Sequence, residues 1–422
     1  MKKTLTRCAF AVVSALLLIA CSGTETEIAP NRRVVLMYAA AYSNLSPSIA
    51  QDVSELCEGD IPYIGSDDIL LVYSHHTHKN QSDYTTPTNP VLFRAYKDFD
   101  GQTRSDTLKI YPSSDVSSTA AVLNQVLTEV KESFPARSYG LIFSSHARGW
   151  LPVNYQDDSV EDDMWTIFSR IAPSMVGDNP WGSDGREFPM TKWLGIEKPI
   201  ELSGIDIRDL ADAIPMKLDF FLMDACLMGC VEVAYELKDK CNYIVFSPTE
   251  ILSNGFIYTL MSSRLLNVAS PDLEQVCRDY MDFYNSQSGY YQAATVTMVD
   301  CSGVRRLAEV CAEIIAAHKE GIEGADREEV QHYYYFNGSD TLPWFYDLRD
   351  VLDKAGATEG ELARLDAALN GCVVYSGATP KFFDLHLDRV CGLSMYLPYP
   401  DKDELNDYYK TLAWNKATGL IQ

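Results

Sequence analysis

Two residues capable of covalent catalysis stand at the ends of apolar runs. His146 directly follows "YGLIFSS" at 139–145, and Cys226 directly follows "LDFFLMDA" at 218–225. Both runs read as buried strands, and in open parallel sheets ligands sit beyond the carboxyl ends of the strands. A thiolate is a strong nucleophile. An imidazole beside it raises the thiolate fraction and can protonate a leaving amine. The spacing predicts a helix directly after Cys226, at 227–238, whose dipole would favour the thiolate. One Cys and one His on neighbouring strands can form a hydrolase dyad; on spacing alone, a structural Cys and a satisfied loop His fit as well. Asp224 lies two positions before Cys226, so on an extended strand both side chains point to the same side. A carboxylate there can hold an ammonium or guanidinium, or it can orient the backbone at the strand end. Glu250 and Asn254, after the next strand, could complete a binding pocket or serve as capping and turn residues.

The elements that must position these residues alternate along the chain. "VVLMYAA" (34–40), "DILLVYS" (68–74), the two runs above, "YIVFS" (243–247) and "TVTMVD" (295–300) read as strands. Leu123, Val126, Leu127, Val130 and Phe134 fall on one face of a helix within 115–134. Ile207, Leu210, Ala211 and Ile214 mark a short helix that Pro215 stops. Strands alternating with helices imply a parallel sheet covered on both faces. Residues 155–204 break this rhythm. They are rich in Asp, Gly, Pro and Trp, and longer than an ordinary connection. After about 270 the βα rhythm fades, so the reading is a sheet domain at 34–270 with a C-terminal α+β accessory region at 271–422.

"YGLIFSSHARGW" around His146 and "FFLMDACLMGCVEVAYEL" around Cys226 resemble the two catalytic segments of the clostripain family of cysteine peptidases. So do "YIVFSPTEILSNGFIY" at 243–258, "WFYDLRDVL" at 344–352 and "CGLSMYLP" at 391–398, in the same order and over nearly the whole chain from Val34. The resemblance implies a caspase-like α/β/α sandwich, Cys226 as nucleophile and His146 as general acid/base. It also implies an oxyanion hole from the main-chain N–H groups of Cys226 and Ala147, and Asp224 as the acid that selects Arg or Lys before the cut. Family members can be activated by self-cleavage between the catalytic His and Cys. This implies a zymogen whose 155–204 loop is cut after Arg170, Arg186, Lys192 or Lys198; a surface decoration is the alternative. The family's His-Gly-Gly-Gly-Trp is here His146-Ala147-Arg148-Gly149-Trp150. Ala147 keeps its donor only if its φ is negative. Arg148 could line the cleft, neutralise a pocket acid or block the site. That departure keeps open a catalytically inactive surface module.

The chain of 422 residues is 46% hydrophobic and 22% charged, a globular balance that excludes a disordered protein. Its net charge of −24 would repel nucleic acid and anionic membrane surfaces. Lys2, Lys3 and Arg7 precede an apolar stretch at 9–20 that is too short to span a bilayer. That stretch ends in "LIAC", which looks like a lipobox and implies cleavage before Cys21, lipid on its sulfur and a polar tether to about Arg33. The expected location is therefore the bacterial envelope, anchored to the bilayer through Cys21. The nine remaining Cys, an odd number, read mostly as core residues. Peptides with Arg or Lys before the cut are the expected substrates and a monomer the expected state. No cofactor is expected, calcium being unreadable from sequence. His75, His76 and His78 alternate in direction and lack partners at ligand spacing, so no metal site is read there.

Overall fold

A computed structural model describes residues 31–40, 45–75, 88–114, 117–153, 155, 189, 191–192, 205–333 and 343–422. Its centre follows from unbroken apolar runs. β1 (Asn31–Ala40) buries Val34 to Ala40 without alternation, as a strand covered on both faces must. β2 (Asp68–His75) is buried along its whole length. β3 (Val91–Lys97) and β4 (Thr103–Ile110) form an antiparallel hairpin at one edge, and polar, exposed β4 ends the sheet there. β5 (Ala136–Ser144), β6 (Leu218–Asp224) and β7 (Cys241–Phe246) continue from β1 as parallel neighbours. β8 (Thr295–Asp300) and β10 (Val373–Ala378) then close the far edge antiparallel; the two-residue β9 (Tyr346–Asp347) pairs separately with 394–395. The nine-stranded order is β10-β8-β7-β6-β5-β1-β2-β3-β4. This is the expected α/β architecture with a parallel centre. Two strands from beyond residue 270 belong to the same sheet, so that boundary runs through one sheet.

The helices form where apolar stripes and caps coincide. α1 (Ser46–Glu58) buries Ile49, Asp52, Val53 and Leu56. α2 (Ala120–Ser133) is capped by Thr119, which accepts from the Val122 N–H, and buries Leu123, Val126, Leu127 and Val130 of the expected stripe, while Phe134 lies at its C-cap, half-buried. Asp206 caps the short helix Ile207–Ala213, which ends before Pro215 as its sequence predicts. Among the described residues no helix is long and apolar enough to cross a membrane.

One expectation fails. The helix after Cys226 runs Val231–Leu237, not 227–238. The intervening residues are tied sideways into the neighbouring segment: the Leu227 N–H donates to Thr249 O at 2.9 Å and the Gly229 N–H to Ser247 O at 2.8 Å. Leu227 itself has φ 61°, a left-handed conformation that costs a leucine about 1–2 kcal/mol and is incompatible with the first turn of a helix. Cys226 therefore does not stand at a helix N-terminus.

Candidate active site

The β5–β6 register sets the site. Ser144 pairs with Asp224, and their side chains share a face, the Ser144 hydroxyl donating to Asp224 Oδ2 at 3.4 Å. His146 and Cys226 each follow two residues beyond this last pair of the register. Between the segment after β6 and the segment after β7 the contacts are short. The Ile251 N–H donates to Cys226 Sγ at 3.1 Å, so the sulfur is held against residues 249–251.

Lys192, from the long connection between β5 and β6, reaches both His146 and Ile251. Its N–H donates to Ile251 O at 2.7 Å, and Thr191 bridges Leu252 in antiparallel fashion. Its carbonyl oxygen accepts from His146 Nδ1, which must carry the proton because a carbonyl only accepts. Its ammonium is buried on the Asp224 carboxylate and donates to Asp52 Oδ2 and Ser144 Oγ, each at 3.0 Å. Residues 191–192 are thus paired through their main chain to residues 251–252, with the basic side chain in a closed acidic socket. Burial opposes the charge on Lys192, but the pull of Asp224 and Asp52 outweighs it and its pKa is raised. Burial pushes the Asp52 carboxyl well above the carboxylate range, with Lys192 pulling it back.

Asp224 receives one more donor, the Tyr258 hydroxyl at 2.6 Å. Gly255 walls the socket. With φ +61° it adopts the left-handed conformation that glycine tolerates, and a Cβ there would press on the Asp224 carboxylate and the Lys192 ammonium. Burial lowers the His146 pKa to about 4 and pushes the Cys226 thiol well above its ordinary value, the Glu250 carboxyl adding to that push. With Lys192 in place both groups are therefore neutral at pH 7. The thiolate expected from a helix dipole is absent because burial acts on the thiol and no helix begins there.

The remaining sequence candidates fall as follows. Glu250 is buried near Cys226 and Asn254 is half-buried in the turn before Gly255. Neither is among the hydrogen-bond partners of the Lys192 ammonium. Ala147 is not among the positive-φ residues, so the Gly-to-Ala departure brings no left-handed strain. The glycine this turn requires is Gly149, at φ +57°, where a Cβ would meet the Leu227 carbonyl and the Phe345 ring. Arg148 donates to the Tyr155 carbonyl at 2.9 Å. Trp150 is fully buried against Phe345, Tyr396 and Tyr409, which anchors the His146 loop to the C-terminal part. Arg170, Arg186, Lys198 and Cys21 lie outside the described residues. All nine Cys from Cys57 to Cys391 are unpaired, and seven of them are buried.

Asp52, Ser144 and Tyr258 are the site residues that sequence reasoning missed. Asp52 had a signal: an acid at the i+3 position from Ile49, on the stripe that continues to Leu56, is out of place on a core-facing helix.

The model of the clostripain family matches residues 177–418, more than half of the chain. An X-ray structure of an inactive zymogen C11 protease from Parabacteroides distasonis superposes with a TM-score of 0.70 at 25% identity, covering 92% of this chain and 98% of that one. A secreted C11 cysteine protease from Bacteroides thetaiotaomicron, iotapain, gives 0.69 at 24%, covering 92% and 99%. A structure of a secreted C11 cysteine protease from the same organism with an irreversible peptide inhibitor gives 0.68 at 23%, covering 92% and 98%. These last two bear on the fold alone. No curated protein matches the chain.

Proposed function

This chain belongs to the clostripain family of cysteine peptidases, and we propose that it is an envelope-anchored endopeptidase cutting after basic residues, held as a zymogen by its own Lys192. The observation that carries the reading is Lys192 itself: one residue places its ammonium on Asp224, its N–H on Ile251 and its carbonyl on His146. That is the set of contacts a substrate residue before the scissile bond needs, made here by the chain's own connection between His146 and Cys226. Of the four basic residues in the 155–204 loop, Lys192 is accordingly the one we assign to self-cleavage.

The chemistry follows in order. The thiol of Cys226 loses its proton to His146 and attacks the carbonyl carbon of the residue held on Asp224. The developing oxyanion is received by the N–H groups of Cys226 and Ala147, and His146 returns the proton to the leaving amine. Water then releases the acyl group. A thiol, an imidazole and N–H donors suffice for acyl transfer, so the reading calls on no cofactor. Glu250 and Asn254 border the cleft without reaching the basic side chain. The resting thiol is protonated while Lys192 is docked, which suits a restrained form; departure of the cut segment admits water and relieves the desolvation. The lipid anchor at Cys21 rests on the lipobox resemblance. Fatty-acid labelling lost in Cys21→Ala tests the anchor.

The test of the dyad is hydrolysis of short peptides that differ only in the residue before the cut. Cys226→Ala abolishes turnover with the melting temperature unchanged, and His146→Ala lowers kcat by about 10²–10⁴. Turnover surviving in Cys226→Ala refutes the assignment.

A further inference from the structure

The floor of the socket holds a second acid. Asp52 sits on α1, on the face that packs into the core, and is 2% exposed. A carboxyl in such a place needs a partner. Among the described residues the one hydrogen-bond partner of its side chain is the Lys192 ammonium, at 3.0 Å. Among the described residues no backbone N–H and no other side chain holds it, so it does not serve to tie α1 to the sheet. Its partner comes from the connection that, on the reading above, is cut and replaced by substrate.

The acceptors around the ammonium also fit its valence. An ammonium carries three N–H donors. Here they meet three separate oxygens: Asp224 Oδ2, Asp52 Oδ2 and Ser144 Oγ. A guanidinium is longer, planar and carries five donors in a rigid fork, best received by two oxygens side by side. Of the two Asp224 oxygens only Oδ2 is engaged: it takes the ammonium, Tyr258 and Ser144 and is the one nearer Gly255, while Oδ1 is buried without a hydrogen-bond partner among the described residues. Asp52 Oδ2 already stands 3.0 Å from the lysine ammonium, so a longer side chain meets it.

We propose that Asp52 is a specificity-determining residue and that this site selects lysine over arginine before the cut. The proposal rests on the reading of the Lys192 socket as the substrate site. An arginine must either displace Asp52 or leave buried N–H groups unpaired. One unpaired buried donor costs enough for about a ten- to hundredfold preference for lysine in kcat/KM.

The experiment compares matched peptides with Lys, Arg or norleucine before the cut, using self-cleaved full chain whose active thiol is counted with an irreversible thiol reagent. Wild type favours Lys over Arg by about ten- to hundredfold. Asp52→Ala removes one acceptor and opens the floor, so cleavage after Lys falls, cleavage after Arg holds or rises, and the ratio collapses toward one or below. Melting temperature and thiol labelling show whether the variant keeps its fold. Should it not, Lys192→Arg in the otherwise native chain gives the second readout, self-cleavage slowed at least about tenfold. Equal cleavage after Lys and Arg in wild type, both far above norleucine, overturns the selectivity and leaves the basic socket standing. Cleavage after norleucine as fast as after Lys overturns both.

Discussion

Replacing Asp224 by Asn separates a substrate-binding acid from a strand-end acid. The Lys192 ammonium in contact with it is fully buried, and no solvent screens the pair. Removing one member of such a pair costs about 2–5 kcal/mol. The lower half of that range applies here, because Asp52 and Ser144 still surround the ammonium and Asn keeps an oxygen for the Tyr258 hydroxyl. A loss of about 2–3 kcal/mol corresponds to about a thirty- to 150-fold fall in kcat/KM for a lysine peptide. The same peptide with norleucine before the cut has no charge to lose and should change less than about threefold. The assay is the pair of kcat/KM values for wild type and variant, with thermal melting as the check on the fold. An equal loss on both peptides would mean that Asp224 acts by shaping the strand end, and the substrate role would be refuted.

Gly255→Ala should remove most activity toward lysine peptides, at least about a hundredfold, by crowding the acid–ammonium contact and straining a left-handed residue. Steady-state kinetics checks it, and an unaltered kcat/KM would show that the wall is not where it is drawn here. His146 should titrate near 4 in the uncut Cys226→Ala chain, read from the imidazole proton resonances. The sign is fixed by the depressed value. The docked state holds the neutral ring and is favoured above the ordinary pKa of about 6.5. It loses that advantage as pH falls toward about 4. Acidifying from pH 7 to 5 should therefore weaken docking of Lys192 by about twentyfold.

The sheet was legible because its central strands are long apolar runs, and β1, β2, β5, β6, β7 and β8 need no tertiary knowledge to be found. β3 and β4 were not read, since an edge hairpin alternates and its outer strand is mostly polar and exposed throughout. The helix expected at Cys226 failed because local pattern cannot report that Leu227 and Gly229 bond sideways to residues 247–249. His146, Cys226 and Asp224 were legible from their place at strand ends. Asp52 lies 172 positions from Asp224 in a segment read for neither structure nor chemistry, and only the packing of α1 brings the two together. Lys192 was one basic residue among four, and only the folded chain shows its side chain on Asp224 and Asp52.

The most direct test of the account is to map where the chain cuts itself. Wild type and Cys226→Ala are purified side by side, incubated, and their fragment ends read by mass spectrometry. The account predicts a new C-terminus at Lys192 in wild type, none in Cys226→Ala, and peptidase activity that rises with the cut fraction. A fully active wild-type chain with the bond after Lys192 intact, or activation by a cut only after Arg170, Arg186 or Lys198, would contradict it.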